Sequence, residues 1–127
     1  MSNIQPYVSV IMNCYNCEEF LKDAIDSVYR QSLSNWEIIF LDNASIDRSA
    51  EVARKYDNKL NYYRIDNNVP LGEARNFAMQ KATGKYIAFL DCDDLYLEDK
   101  LDKQVKMMDE HGFIMSYGGA MIINENG

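Results

Sequence analysis

Basic residues are in short supply in this chain. Thirteen lysines and arginines stand against twenty aspartates and glutamates, a formal net charge of -7. No basic stripe is available to neutralise phosphates along a polymer, which argues against nucleic acid as a partner. A small anionic ligand stays open, provided a metal ion or a few placed cations screen it. Long hydrophobic runs are missing as well. None approaches the ~20 apolar residues of a membrane span, and the N-terminus has no signal-peptide h-region. The expectation is a soluble, cytoplasmic chain with no membrane segment. Cysteines are few and odd in number, three in all, which does not suggest a disulfide framework. Cys14 and Cys17 do have C-x-x-C spacing between an expected strand and helix, where a thiol redox motif would lie, but a motif this short is weakly specific. A zinc site lacks its second ligand pair, because Cys92 is alone and His111 is the only histidine. His111 precedes Gly112 at an expected helix end, where a cation complements the helix dipole. There is no Ser-His-Asp arrangement, no G-x-G-x-x-G and no G-x-x-x-x-G-K-[ST], so nicotinamide chemistry and P-loop phosphate transfer lose their usual signatures.

What is present is an ordinary globular composition, 47% hydrophobic and 26% charged over 127 residues, expected to form one domain over 1–127. Strand and helix patterns alternate along it without repeats or low-complexity tracts. Val8–Met12 reads as a first strand. A helix over about 18–31 sets Phe20, Leu21, Ala24, Ile25 and Val28 on one face, with Asn16 and Glu19 spaced as a capping box. A second strand, Trp36–Leu41, ends at Asp42-Asn43-Ala44-Ser45. Ser45 or Asp47 can cap the next helix, which would bury Ala50, Ala53 and Tyr56. A third strand spans Leu60–Ile65. Pro70 opens a helix to about Ala82, with Leu71, Ala74, Phe77 and Ala78 inward and Thr83-Gly84 as its stop. The apolar run Tyr86–Leu90 reads as a buried strand. A last helix over about 98–110 would bury Leu101, Val105 and Met108 before Gly112 breaks it, and 113–123 looks extended. The fold class is therefore α/β, a three-layer α/β/α arrangement around a mostly parallel sheet.

The most informative residues are Asp91-Cys92-Asp93-Asp94, directly after the fourth strand. Three carboxylates in four residues repel one another unless something positive joins them. Hard divalent cations, Mg²⁺ or Mn²⁺, suit such a cluster because they take oxygen ligands and bridge carboxylate to phosphate. The bland alternative is an acidic surface turn capping the next helix. In parallel sheets, ligands bind outside the carboxyl ends of the strands. Asn13, Cys14, Tyr15 and Asn16 follow the first strand, Asp42 and Asn43 the second, and the acidic cluster the fourth, so all three groups are expected to face one crevice. A nucleotide there would find base acceptors in Asp42 or the Asn43 carbonyl and charge compensation in a metal held by the aspartates. Arg75, near the positive end of the third helix, would supply a cation. Each of these residues taken singly also has an ordinary structural use, Asp42 in a turn and Arg75 as a solvated helix charge. The compatible reaction is displacement at a phosphate ester, with the metal stabilising charge on the leaving diphosphate.

Four segments occur in order: Val8–Asn16, Asp42–Asp47, Leu71–Asn76 and Gly84–Asp94. Together they resemble the nucleotide-binding half of the family 2 glycosyltransferases with the GT-A fold, over nearly the whole chain. The resemblance implies inverting transfer of a sugar from a nucleotide-diphosphate donor in polysaccharide biosynthesis. It implies that Asp91 and Asp93 match the D-x-D motif, with Asp93 the metal ligand and Asp91 near the ribose and diphosphate. Tyr15 would pack near the base, and Arg75 matches the basic position of the third motif. Two departures matter. Asn13 stands where many members have proline, and Asn43 where many have a second aspartate, which gives up the charge assistance that makes such bonds roughly twice as strong. UDP- or dTDP-sugars are the expected donors, with guanosine the alternative, and a carbohydrate or lipid-linked molecule the acceptor. The resemblance implies a further half that binds acceptor and supplies the general base. No residue here matches that base, so it is expected beyond residue 127, and this chain is expected to bind donor but to transfer poorly. The rivals are a nucleotide-sugar-binding module without catalysis, a receiver domain and a thioredoxin-like protein. The second would need carboxylates after the first strand, where Asn13–Asn16 has none.

Overall fold

The strand-helix alternation condenses into a four-stranded parallel sheet. A computed structural model describes residues 5–111, with β1 (Val8–Cys14), α1 (Glu18–Tyr29), β2 (Trp36–Asn43), α2 (Ser49–Ala53), β3 (Leu60–Ile65), α3 (Leu71–Lys81), β4 (Tyr86–Phe89) and α4 (Lys100–His111). Strand order is β3-β2-β1-β4. The pairs are in parallel register, with Val10 beside Ile38, Val10 beside Ala88 and Ile38 beside Leu60. Parallel neighbours cannot be joined by tight turns, so each connection carries a helix. The expected extended segment 113–123 and the His111 side chain lie outside the described residues.

Alternation along the strands divides the core into two layers. Val10, Met12, Ile38 and Phe40 face Leu21, Ala24, Ile25 and Val28 of α1 and Leu101 and Val105 of α4. On the opposite face Ile11, Ile39 and Leu41 meet Ala74 and Ala78 of α3. Full burial of each Leu, Ile or Val contributes about 1.5–3 kcal/mol relative to exposure, and the small alanines let α3 lie close to the sheet. The buried amide of Gln31 fastens the end of α1 to the start of α4. It donates to the Ser27 and Leu97 carbonyls and accepts the Leu101 N–H. Buried amides need such partners.

Several local expectations are corrected. β1 and β2 run two residues further than their apolar cores, to Cys14 and Asn43. The Asn16–Glu19 capping box does not form, because Asn16 has a left-handed φ of 51° and its Oδ1 accepts the Ile46 N–H instead. α2 is a five-residue helix whose N-cap position is Arg48, not Ser45 or Asp47, although the Asp47 carboxylate accepts the Ser49 N–H. Ala50 and Tyr56 are half-buried, and the Tyr56 hydroxyl donates to Asp26. Phe20 and Leu71 are exposed, and Met108 is half-buried. α3 stops because Ala82 turns extended, with ψ at 136°. Gly84 has a different use: an added Cβ would lie 2.6 Å from the Ser9 amide nitrogen, while the Gly84 N–H donates to Ser9 Oγ at 2.8 Å. β4 is the sheet's edge among the described residues and is not buried throughout. Ile87 and Phe89 are 40% and 45% exposed, because α3 packs on β1 and β2 and leaves this face of β4 open.

Candidate functional site

The carboxyl edge of the sheet is knitted by loop-to-loop hydrogen bonds. The first N–H groups of α1 have no helical partners, and the β2–α2 loop supplies them. Cys17 N–H donates to Ser49 Oγ, and Glu18 N–H to Asp47 Oδ2. Asn16 N–H donates to Ser45 Oγ at 2.9 Å. Asp47 thereby serves two helices, since its other oxygen accepts the Ser49 N–H and hydroxyl. Burial works to raise the Asp47 carboxyl, but the bonds from Ser49 and Glu18 outweigh it and hold it below the ordinary value. The sequence points to Asp47 at the start of α2, but not to its bond, or those of Ser45 and Ser49, with the start of α1. The S/D-rich run Ser45–Ser49 is its signal, but it reads locally as a cap for α2 alone.

The thiols are arranged differently from expectation. Cys14 and Cys17 are joined in a disulfide across the β1–α1 loop, a single bridge that an odd cysteine count did not suggest. The C-x-x-C geometry favours it, because the loop returns Cys17 to within a Cα distance of 5.8 Å of Cys14. Cys92 stays free and buried, with its S–H donating to the Asn13 carbonyl at 3.2 Å. Burial, with Asp91, Asp93 and Asp42 nearby, pushes its thiol up to about 12.

Between these loops lies an open cleft of about 430 Å³ lined by Asn13, Tyr15, Cys17, Phe20, Asp91 and Asp93 among others. Small-molecule pockets have volumes of this order. Tyr15 presents an exposed ring at its mouth. The Asp94 N–H closes a turn on the Asp91 carbonyl, which gathers the carboxylates of Asp91, Asp93 and Asp94. All three are exposed, and one oxygen of each lies within 4.8 Å of the others. Desolvation and its two acidic neighbours raise the Asp94 carboxyl. Three hard oxygen donors at this spacing fit a divalent cation such as Mg²⁺ or Mn²⁺. Arg75 reaches the same place from the first turns of α3. Its Nη2 is 3.8 Å from Asp91 Oδ1, and its guanidinium lies 5.4 Å from the Phe89 ring centre. Among the described residues, Asn13 Oδ1 and Arg75 Nε are the buried side-chain polar atoms without a hydrogen-bond partner. Such atoms are costly to leave unpaired, and both belong to residues singled out in the sequence.

Asp42 and Asn43 are not brought to that cleft together. Because β2 continues through both, they point to opposite faces of the sheet. Asp42 is fully buried. Its carboxylate accepts the Ser45 N–H, the Tyr62 hydroxyl and Arg64 Nη1, which leaves it no surface to offer a base. Arg64 is its neighbour in register on β3, a pairing hidden until strand order is known. The Asn43 amide clamps the β3–α3 loop, donating to the Val69 carbonyl and accepting the Val69 N–H. Of the groups expected to face one crevice, Asn13, Tyr15, Asn16, Asp91 and Asp93 line one cleft, and Arg75 stands beside Asp91. Asp42 and Asn43 do not join them, because both side chains are engaged by protein partners.

The glycosyl transferase family 2 profile matches residues 9–127. The chain belongs to that family. The family 2 chain is 35% identical over 130 residues to the putative teichuronic acid biosynthesis glycosyltransferase TuaG of Bacillus subtilis, an alignment covering all of this chain and 52% of TuaG. It is 36% identical over 120 residues to WfgD of Escherichia coli, named as a UDP-Glc:alpha-D-GlcNAc-diphosphoundecaprenol beta-1,3-glucosyltransferase. That alignment covers 94% of this chain and 47% of WfgD. The chain therefore spans about half the length of these curated relatives. Among solved structures, Staphylococcus aureus TarS 1-349 in complex with UDP-GlcNAc superposes with a TM-score of 0.79 at 29% identity, covering 83% of this chain and 32% of that one. The mannosyltransferase PcManGT from Pyrobaculum calidifontis, in complex with GDP-Man and Mn²⁺, gives 0.76 at 25% identity, covering 84% of this chain and 33% of that one. The family 2 chain has the GT-A α/β fold of these transferases, as the four motifs implied. Among the described residues, no helix is long and apolar enough to cross a membrane.

Proposed function

We propose that this chain supplies the donor-binding part of an inverting glycosyltransferase. It would bind a nucleotide-diphosphate sugar, with UDP- or dTDP-sugars favoured, across the cleft between Tyr15 and Asp93. One observation carries the reading: the exposed carboxylates of Asp91, Asp93 and Asp94 gather within 4.8 Å of one another beside a cleft lined by Asn13 and Tyr15, with the Arg75 guanidinium 3.8 Å from Asp91. An anionic ligand with its own cation satisfies both kinds of group at once. The UDP-GlcNAc and GDP-Man/Mn²⁺ complexes of the two GT-A neighbours support a metal-assisted nucleotide-sugar donor. The donor and acceptor in the WfgD name support a carbohydrate or lipid-linked acceptor.

In this reading Asp93, helped by Asp91, would hold Mn²⁺ or Mg²⁺, which when bound would supply Lewis-acid stabilisation of the leaving diphosphate. Arg75 adds fixed positive charge on the same side, in a geometry suited to phosphate oxygens. Tyr15 gives the base an aromatic face, and Asn13 lines the cleft beside it. The acceptor hydroxyl attacks the anomeric carbon from the face opposite the departing diphosphate, which inverts the configuration. Its deprotonation is the step to which we assign no residue of this chain. Asp42 is proposed to act on the nucleotide indirectly, by fixing the Ser45 loop and Tyr62.

Calorimetric titration with UDP, dTDP and GDP, each with and without Mn²⁺, tests the reading on the wild type and Asp93→Ala. The expected result is metal-dependent uptake of a pyrimidine diphosphate, weakened at least about tenfold in the variant, a loss of about 1.4 kcal/mol. Metal-independent binding, or no binding of any nucleotide, would overturn it.

A further inference from the structure

The Cys14–Cys17 bridge has no part in the function proposed above, yet one of its cysteines, Cys17, borders the cleft. It joins the last residue of β1 to the N-cap of α1. The residues it encloses include Tyr15 and Asn16, and both line the cleft together with Cys17. Asn16 sits there at a φ of 51°, a conformation uncommon outside glycine. The two sulfurs are not equivalent. Cys14 is 1% exposed, whereas Cys17 is half-buried and borders the cleft. Cys92 has its sulfur close to both, but it is buried and its S–H is engaged by the Asn13 carbonyl.

We infer that Cys14–Cys17 is a reversible redox site coupled to donor binding: the bridge tethers the loop that carries Tyr15, and an occupied cleft shields the bridge from reduction. The inference rests on the donor-site reading given above. A reductant of the dithiol class completes the chemistry. One of its thiolates attacks Cys17 Sγ, the accessible sulfur. The S–S bond breaks and Cys14 leaves as a thiolate, which takes up a proton. The second thiol of the reductant then attacks the mixed disulfide and releases Cys17 as a thiol. The reductant departs as its own disulfide, so two electrons pass to the protein. The reverse sequence, with an oxidised dithiol, restores the bridge. Reduction does not unfold the loop, because four hydrogen bonds to the β2–α2 segment remain: Asn16 and Cys17 N–H to Ser45 and Ser49, Glu18 N–H to Asp47, and Ile46 N–H to Asn16 Oδ1. What is lost is the tether that spans Tyr15, and ordering that residue on binding then lowers affinity. Linkage makes the effect reciprocal, so a ligand that prefers the bridged form must also favour that form.

The test uses the whole chain and UDP with Mn²⁺ as the probe. Bridge content is followed by iodoacetamide trapping and mass spectrometry during exposure to dithiothreitol, with and without UDP and Mn²⁺. Affinity is measured by calorimetry on the oxidised and reduced chains and on Cys17→Ser, with circular dichroism as the check on folding. The expected result is about three- to tenfold weaker UDP binding on reduction, the scale of ordering one or two side chains. Cys17→Ser should bind like the reduced chain and ignore dithiothreitol, and UDP with Mn²⁺ should slow reduction of the wild type. Equal affinity in both redox states, with UDP bound, overturns the coupling and leaves the donor site standing. No UDP binding in either state overturns both. A chain whose three cysteines all react with iodoacetamide before any reductant, after purification in air, removes the bridge itself.

Discussion

Ala44 carries the clearest local strain in the candidate site. Its φ of 64° lies in the left-handed region, which costs an L-residue roughly 1–2 kcal/mol. The position persists because its neighbours fix it: Asn43 is clamped to Val69, and the Ser45 N–H is held by Asp42 at 2.9 Å. Ala44→Gly is expected to stabilise the chain by about 0.5–1 kcal/mol, the strain relieved less the entropy glycine adds to the unfolded chain. Urea denaturation reads this as a higher midpoint with an unchanged slope. A lower midpoint would mean that the alanine methyl group packs well enough to outweigh the strain. Residue-level reading of the sequence could not find this, because a left-handed alanine has no composition signal. The same limit applied to Asp42 and Asn43, whose chemistry was legible but whose directions were not. Only the continuation of β2 through both separates their faces.

At the level of elements, apolar periodicity was a sufficient guide to where strands and helices lie, and a poor one to what their ends do. Leu21, Ala24, Ile25 and Val28 recur at helical spacing because one stripe of α1 meets the sheet, and all four are fully buried. β3 has the bounds its β-branched and aromatic residues suggest. End chemistry, by contrast, is non-local. α1 is capped by Asp47 and Ser49, some thirty positions onward, and no window along the chain contains both partners. β4 was legible as a strand but not as an edge, since its apolar run is the same whether or not a helix covers Ile87 and Phe89. Gly84 shows the same lesson in one residue. Its place after α3 suggests a helix stop, whereas its value lies in letting the α3–β4 connection touch Ser9 of β1. Gly84→Ala is therefore expected to destabilise by about 1–3 kcal/mol, the usual cost of forcing an extra carbon into a packed contact. The effect should appear in the urea midpoint. A neutral result would show that β1 and the Thr83–Gly84 segment can part without loss, which would weaken the argument for their close approach.

For the molecule as a whole, the excess of carboxylates makes acid the natural probe of how the layers hold together. Asp109 near the end of α4 is the point where that helix is tied to the sheet edge. It accepts from the hydroxyls of Tyr7, just before β1, and Tyr86 of β4, and pairs with Lys85 at 3.1 Å. The hydrogen bond from Tyr7, then that from Tyr86, lower the Asp109 carboxyl to about 2 from an ordinary 3.8. A carboxyl depressed in the folded state stabilises that state wherever it is ionised in both forms. Its contribution is complete above the unfolded value and declines as pH falls from near 4 through about 2. Removing the charge should therefore matter at neutral pH and cease to matter in strong acid. Urea midpoints for the wild type and Asp109→Asn, measured from pH 7 down to about pH 2, provide the comparison. The wild type should be the more stable of the two at neutral pH, and the gap should narrow over the acid window. Since the other carboxylates titrate alike in both proteins, the difference between them isolates this one group. A gap that stays constant to pH 2 would show that Asp109 holds α4 by shape and neutral hydrogen bonds, with its charge contributing nothing.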